Sequence, residues 1–346
     1  MKNSFLKKFF ITVVILLVLT VSFVYVTDPF FHYHYPYAGL KPVVKNELNQ
    51  NPGIAEHFDY DSIIIGSSMT QNFTASDFDK AFPDGGKTVK LTYSAIRTGN
   101  MNYMLDKAFK THNVKNVYMG FDLDPFISEF GTYYFPIPEY LYDDNYLNDV
   151  YYIFNKEVLL ESMKMLLLNI TDKVPPMDDC YKWDAEYSKD IAMSSVKWDM
   201  LNYEETVFHQ EYLDNAKLNF EANIEPHIKN HPETDFYIFF PPYSILWWNM
   251  KLSYGTLDSF FAVEEYLISE LIKYDNVKLF GLQNITEVIT DLDNYKDYNH
   301  YSPEINDRIT DILAENEYVL TEDNYKTYLK EFRDFIINYD YSSLTV

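Results

Sequence analysis

The stretch Asp61-Ser-Ile-Ile-Ile-Gly-Ser-Ser-Met-Thr70 joins a short apolar run to a Gly-Ser-Ser turn and then to a polar segment. A continuous apolar run such as residues 63–65 is typical of a strand buried on both faces, as in a parallel sheet covered by helices. Ligands and nucleophiles collect where such strands end. Gly66 allows a tight turn that would leave the hydroxyl of Ser68 clear of the sheet. Taken alone, the turn favours a simpler interpretation, a helix start capped by serine.

Beyond this stretch the chain alternates apolar runs with helical segments, which predicts an α/β fold with a parallel sheet and crossover helices. The predicted strands are residues 62–66, 88–92, 116–123, 235–240 and 277–281. The predicted helices are residues 75–82, 99–112, 206–230, 257–274 and 303–316. The connection between residues 124 and 205 is too long for a simple crossover. We therefore predict an aromatic-rich insertion, residues 125–205, that covers the carboxyl end of the sheet and contains a helix at 157–169.

Composition limits the classes of function. The 346 residues are 47% hydrophobic and 18% aromatic, which is enough for a packed core. The 28 basic and 52 acidic residues give a formal net charge of −24, which argues against a nucleic-acid partner because such partners require a basic face. It also argues against broad adsorption to anionic lipid. Cys180 is the only cysteine, so the chain forms no internal disulfide.

The N-terminus has the pattern of a membrane anchor. Three lysines lie within residues 1–8, and residues 9–27 then carry no charge. At ~1.5 Å per residue this segment spans about 28 Å, close to the ~30 Å hydrocarbon core. The lysines predict a cytoplasmic N-terminus and an extracytoplasmic remainder, in a cell membrane crossed once. A cleaved signal peptide is the alternative, but no Ala-x-Ala pattern follows the apolar segment.

The segment after the anchor, residues 28–59, begins with an aromatic run that we interpret as an interfacial belt. His32 and His34 alternate with tyrosines there and could form half of a metal site. No carboxylate or cysteine stands beside them at ligand spacing, so the belt is the favoured interpretation. The main α/β domain is predicted at residues 60–320, with a helical extension at residues 321–346.

A second informative stretch is Asp297-Tyr-Asn-His-Tyr-Ser-Pro-Glu304. The three-residue spacing of Asp297 and His300 allows the carboxylate to hold the imidazole Nδ1–H while Nε2 points at a hydroxyl. Such a base activates a serine, which is otherwise a poor nucleophile. The carboxyl ends of parallel strands share one edge, so His300 and Ser68 can meet there. The alternative is a capped helix start with an exposed histidine.

Gly66-Ser-Ser-Met69 near the first strand and Asp297-Tyr-Asn-His-Tyr301 near the C-terminus together resemble the SGNH/GDSL hydrolase superfamily. Over about residues 60–315, the resemblance implies a flavodoxin-like three-layer α/β fold. With the anchor, the chain looks most like the membrane-anchored branch, which includes D-alanyl-lipoteichoic acid transfer and exopolysaccharide O-acetylation proteins. The resemblance implies Ser68 as nucleophile, His300 as base and Asp297 as its orienting group. It also implies acyl esters of a cell-surface glycopolymer as substrates.

The chain departs from the usual oxyanion hole of that family, which takes an amide from a second-block glycine and a third-block asparagine side chain. In this chain the second-block donor would be Gly99 or the amide of Ser94. The amide of Ser68 itself would be a further donor. The segment after the third strand contains no asparagine, and its two aspartates, Asp122 and Asp124, can donate only when protonated. Loss of one oxyanion donor lowers the rate about a hundred- to a thousandfold.

Three further residues are candidates for binding substrate. Arg97 could clamp a phosphate or carboxylate of an anionic polymer, or form a surface ion pair. Tyr243 and Trp247 follow the fourth strand and could form a wall of the same cleft by stacking on a sugar. Core packing is the simpler role for at least one tryptophan in that segment.

Two functions remain open from the sequence. The first is a serine esterase or O-acyltransferase that works through an acyl-enzyme on Ser68 and uses no cofactor or metal. The second is a non-catalytic accessory protein that binds a wall polymer or a multispanning membrane O-acyltransferase. A metal hydrolase is a distant third, because no ligand cluster supports it.

Overall fold

The computed structural model describes residues 2–37, 39–143 and 145–344, with only the backbone described for residues 2 and 3. The chain forms two compact units. The first consists of Met1–Asp59 and Pro136–Cys180, and the second of Tyr60–Phe135 and Tyr181–Val346. The predicted insertion, residues 125–205, is therefore divided between the two units.

The second unit is built on a six-stranded sheet. Its strands are β1 Ser62–Ile65, β2 Thr88–Lys90, β3 Asn116–Gly120, β4 Asp235–Phe240, β5 Val277–Gly281 and β6 Val319–Leu320. The strand order is β2-β1-β3-β4-β5-β6, in which β1 to β5 are parallel and β6 is antiparallel to β5. The order 2-1-3-4-5 is that of flavodoxin-like doubly wound folds. The predicted α/β class with a parallel sheet is confirmed.

Helices make up the rest of the regular structure. They are α1 Lys2–Thr27, α2 Glu47–His57, α3 Ala75–Ala81, α4 Thr98–Thr111, α5 Leu123–Ile127, α6 Val150–Ile153, α7 Lys156–Ile170, α8 Lys189–Ser194, α9 Gln210–Asn223, α10 Glu225–Asn230, α11 Ile245–Ser253, α12 Leu257–Leu271, α13 Thr286–Ile289, α14 Pro303–Glu315 and α15 Tyr325–Asn338.

The central strands are buried on both faces, as their unbroken apolar runs predict. Every residue of β1 and β3 is buried, and so is every residue of β4 except Asp235. Helices therefore cover both sides of the sheet, which gives the three-layer arrangement. Because β1, β3 and β4 run in parallel and in register, the segments that follow them leave the sheet at one edge.

The structure differs from the predicted elements at several points. The third strand ends at Gly120 rather than at residue 123, because Asp122 is already the N-cap of α5. The helix predicted at residues 206–230 is two helices, because Pro226 lacks an amide proton and lies in the first turn of a new helix that begins at Glu225. The short antiparallel strand β6 was not predicted.

The first unit begins with α1, whose apolar part, Ser4–Thr27, has 24 residues and a mean hydropathy of 2.8 in its most apolar window. This confirms the predicted long apolar N-terminal helix. By length and composition the helix is able to cross a membrane. A signal sequence near an N-terminus has the same properties.

An aromatic cluster follows α1 within the first unit. Phe30 and Phe31 are buried, so this part of the predicted interfacial belt is core. His32 Nε2 lies 3.0 Å from Asp149 Oδ1. His34 stacks on Tyr37 at 3.6 Å between ring centroids, and both of its ring nitrogens contact backbone carbonyls. The two histidines are thus occupied by contacts inside the cluster.

Candidate active site

Ser68 begins a short 3-10 turn, Ser68–Thr70, directly after β1. The cap of this turn is Ser67, whose Oγ accepts a hydrogen bond from the amide of Met69 at 3.1 Å. Gly66 has φ of +156°, and a Cβ there would lie 2.7 Å from Thr70 Cγ2. Because Ser67 serves as the cap, the hydroxyl of Ser68 is free for another partner.

The partner is His300, which lies on a loop that is held by backbone hydrogen bonds within it. The Lys296 amide donates to the His300 carbonyl at 3.1 Å, and the Ser302 amide donates to Asn294 at 2.8 Å. Asp297 Oδ1 accepts the amide of His300 at 2.8 Å, which fixes the turn between the two residues. The three-residue spacing thus produces a rigid turn that holds the imidazole beside the carboxylate.

Ser68, His300 and Asp297 form a continuous hydrogen-bonded chain. Ser68 Oγ lies 2.7 Å from His300 Nε2, and His300 Nδ1 lies 2.8 Å from Asp297 Oδ2. Burial raises the pKa of Asp297, but hydrogen bonds from His300 and the neighbouring amides outweigh it, so the pKa is below its usual value. The carboxylate is therefore ionised and holds the proton on Nδ1, which leaves Nε2 to accept from Ser68.

Buried hydrogen bonds tie this loop to the serine turn. The Tyr301 hydroxyl donates to the Met69 carbonyl at 3.1 Å, and Asn306 Nδ2 donates to the same carbonyl at 3.0 Å. The Tyr295 hydroxyl donates to the Pro242 carbonyl at 2.7 Å. All three side chains are buried. These bonds hold two segments about 230 residues apart in sequence at hydrogen-bond distance.

A cavity of about 450 Å³ opens in front of the pair Ser68 and His300. Its lining includes Ala95, Arg97 and Asp122. This volume lies within the range of small-molecule sites, roughly 300–1,000 Å³. The hydroxyl and imidazole are therefore accessible to a ligand that enters the cavity.

The predicted second-block oxyanion donors lie outside the cavity lining. The Ser94 hydroxyl accepts from Gln71 Nε2 at 2.6 Å, and Gly99 lies in the first turn of α4 against Tyr133. The structure presents Ala95 to the cavity instead, in a left-handed conformation with φ of +52°. Within the described residues, the amides of Ala95 and Ser68 donate no hydrogen bond. The left-handed turn brings Ala95, rather than Ser94 or Gly99, to the cavity lining, and the oxyanion roles of Ser94 and Gly99 stay predictions.

The predicted substrate-binding residues divide into two groups. Arg97 lines the cavity, with Nη1 donating to the Asp124 carbonyl at 3.3 Å. Tyr243 also lines the cavity. Trp247 does not, since it is 2% exposed and stacks behind Tyr243 at 4.4 Å between ring centroids. Trp247 therefore supports the wall that Tyr243 forms, and its predicted contact with substrate stays a prediction.

Asp122 is the most unusual acid of the site. It is 4% exposed, and its Oδ1 accepts the hydroxyl of Tyr243. Its pKa is raised to about 6, because burial outweighs the opposing effects of the Ser67 and Tyr243 hydroxyls. The negative charge of Asp124 adds to the increase, and His300 opposes it.

Several residues near the site had no local signal in the sequence. Tyr298, Asn299 and Tyr134 line the cavity. The ring of Trp183 meets that of His300 edge-on at 5.7 Å between centroids. Its position depends on a segment more than 100 residues before the histidine, so only the tertiary fold reveals it.

Comparison with known proteins gives little further information. No protein-family model and no curated protein matches the chain. A solved structure from Streptococcus pneumonia, provisionally described as a platelet activating factor, aligns with a TM-score of 0.37 and 12% identity. The alignment covers 82% of this chain and 91% of that chain. A similarity at this level does not establish a family for the chain.

Proposed function

We propose that the protein is a serine esterase or O-acyltransferase that forms an acyl-enzyme on Ser68. The observation that carries the proposal is the chain of hydrogen bonds from Ser68 Oγ through His300 to Asp297, at 2.7 and 2.8 Å, facing a cavity. This arrangement has the geometry of an activated nucleophile with an oriented general base.

In the proposed reaction, Ser68 Oγ attacks the carbonyl carbon of an ester while His300 Nε2 takes the hydroxyl proton. The tetrahedral intermediate collapses, its C–O bond to the alcohol breaks, and Nε2 returns the proton to the leaving oxygen. Water or a second hydroxyl then attacks the acyl-serine ester with the same base. Asp297 stays ionised throughout and stabilises the imidazolium.

The proposed substrates are acyl esters of a cell-surface polysaccharide or teichoic acid. Arg97 lines the cavity and offers a guanidinium to the anionic groups of such polymers. The apolar helix α1 supports a membrane anchor, and the lysines before it support an extracytoplasmic second unit. A multispanning membrane O-acyltransferase is the proposed source of acyl groups if the reaction is a transfer.

The test is labelling of the full chain in detergent with a fluorophosphonate probe, followed by mass spectrometry of the labelled peptide. We expect one adduct at Ser68 that disappears in Ser68→Ala. Ser194→Ala is the matched control, because the exposed Ser194 hydroxyl donates to the Ile191 carbonyl of its own helix. An unlabelled, folded wild-type protein would contradict the acyl-enzyme and favour the accessory, polymer-binding function.

The anchor is tested separately by protease treatment of intact bacterial cells that express the full chain. We expect the second unit to be digested from outside while the N-terminal residues remain with the membrane fraction. Release into the medium of a chain that lacks its N-terminal apolar segment would instead indicate a cleaved signal peptide.

A further inference from the structure

Asp122 occupies a position from which it can act on a substrate at Ser68. It follows β3 at the carboxyl edge of the sheet and lines the same cavity as Ser68 and His300. Because β1 and β3 are neighbouring parallel strands, the two residues leave the sheet side by side. Asp122 is 4% exposed, so water does not solvate its carboxyl group.

One oxygen of the Asp122 carboxyl group already accepts a hydrogen bond. The pKa of Tyr243 is raised well above its ordinary value, first by burial and then by the charges of Asp122 and Asp124. The Tyr243 hydroxyl therefore keeps its proton and donates a hydrogen bond to Asp122 Oδ1. Oδ2 is buried and has no hydrogen-bond partner among the described residues. A proton on the carboxyl group would accordingly reside on Oδ2.

We propose that neutral Asp122 donates its Oδ2–H to the oxyanion of the tetrahedral intermediate on Ser68, together with the amides of Ser68 and Ala95. This inference rests on the proposed acyl chemistry at Ser68. The donated proton stays bonded to Asp122, while the proton of the Ser68 hydroxyl goes to His300. No proton is therefore gained or lost at Asp122 in the step.

The surroundings favour the neutral form of Asp122 below about pH 6. Burial dominates and raises the pKa of Asp122 to about 6. The groups that face it are the hydroxyls of Ser67, Tyr243 and Tyr301, the Asp124 carboxylate and the imidazole of His300. An ionised Asp122 would repel a neighbouring oxyanion, whereas the neutral acid offers it a hydrogen bond in a dry site.

The proposal predicts a specific pH dependence. Above about pH 6 the neutral fraction of Asp122 falls tenfold for each pH unit, and the donor is lost with it. The rate of acylation should decline until it reaches the floor set by loss of one donor, roughly a hundred- to a thousandfold. An asparagine at this position carries N–H donors that do not titrate.

The experiment is the rate of fluorophosphonate labelling of Ser68 in the full chain in detergent, from pH 5 to 8.5. We expect the ratio of the Asp122→Asn rate to the wild-type rate to rise about tenfold per pH unit above pH 6. Asp122→Ala should be slow at every pH. Glu264→Gln is the matched control, since Glu264 is also a buried acid with a raised pKa, about 8, but does not line the cavity.

The outcomes are separable. If wild type is labelled and Asp122→Asn follows the same pH profile, or falls to the rate of Asp122→Ala, the donor role is wrong and the acyl-enzyme remains. If folded wild type is never labelled, both proposals are wrong. Should Asp122→Asn fail to fold, Tyr243→Phe decides, because the Tyr243 hydroxyl lowers the pKa of Asp122. Its loss should move the alkaline decline to higher pH, and an unmoved decline would overturn the proposal.

Discussion

Two buried aspartates, one in each unit, share a raised pKa but differ in their hydrogen bonds. Asp28 in the first unit is 1% exposed, and Asp122 in the second is 4% exposed. Burial is the largest cause of the raised pKa in both. Asp122 accepts the Tyr243 hydroxyl at Oδ1, the neighbouring Ser67 hydroxyl also lowers its pKa, and Oδ2 makes no hydrogen bond in the described chain.

Asp28, by contrast, has both oxygens occupied. Oδ1 accepts the Tyr152 hydroxyl at 2.6 Å and the His32 amide at 3.0 Å. Oδ2 accepts the amides of Tyr33 at 2.7 Å and His34 at 3.0 Å. Because it accepts four hydrogen bonds, Asp28 stabilises the conformation of the segment that follows α1. A raised pKa alone therefore does not distinguish a structural acid from a functional one, and the unused oxygen beside the cavity is the feature on which the proposed role of Asp122 rests.

The largest expected effect is on chemistry in the second unit. His300→Ala removes the proposed base, so the labelling rate of Ser68 should fall about 10²- to 10⁴-fold. The free energy of unfolding should stay within about 1 kcal/mol of wild type. His209→Ala is the control, because His209 pairs with Glu211 on the surface. Equal loss of labelling in both variants would mean that the histidine effect is not local to the site.

Asp28→Ala should have the opposite profile. It leaves four donors without an acceptor, and we expect the first unit to lose about 3–5 kcal/mol of unfolding free energy. The labelling rate of Ser68 should not change. Hydrogen exchange in detergent, resolved to residues 136–180, measures the loss. Asp172→Ala is the control, because Asp172 pairs with Lys41 on the surface and should change stability by less than about 1 kcal/mol.

Much of the fold was predictable because the sheet is buried on both sides. Short strand-like runs rich in apolar residues revealed β1 to β5, and Pro303 marked the start of α14. The elements that escaped prediction lack such patterns. α11 is buried around most of its circumference, so it has no polar face and no helical period. β6 has only two residues and forms because β5 offers it an edge.

The candidate site was predictable where its geometry is local. The turn at Ser68 follows a strand, and the spacing of Asp297 and His300 is set within one loop. The oxyanion side was not predictable, because Ala95 has a left-handed backbone that alanine rarely adopts. The protonation state of Asp122 depends first on its burial in the tertiary fold and then on opposing hydroxyls such as that of Tyr243, 121 residues away in sequence.

A third prediction concerns stability and pH. An unfolded aspartate ionises near 3.8, whereas Asp122 in the folded chain retains its proton to about pH 6. Between these values the unfolded chain releases its proton first, so the stability contributed by neutral Asp122 is full below about pH 4 and is lost as pH rises to 6. At about 1.4 kcal/mol per pKa unit, the loss is about 3 kcal/mol.

Asp122→Asn lacks this titration. The difference in unfolding free energy between Asp122→Asn and wild type should therefore shift by about 2 kcal/mol in favour of the variant from pH 4 to pH 6.5. Comparing the two proteins at both pH values cancels the contribution of Asp28, which both contain. Urea unfolding in detergent is the measurement, and a pH-independent difference would show that Asp122 is ionised throughout.

The smallest effects come from removing one hydroxyl from each aspartate. Tyr152→Phe and Tyr243→Phe each delete a single hydrogen bond to a buried carboxyl group, and each should lower stability by about 1 kcal/mol. Only Tyr243→Phe should move the alkaline decline of Ser68 labelling, since Asp28 retains three donors and lies outside the cavity. A shift in both variants would mean that the two aspartates do not differ in function. A shift confined to Tyr243→Phe would establish that the hydrogen bonds around a buried acid, rather than its burial, decide whether it takes part in chemistry.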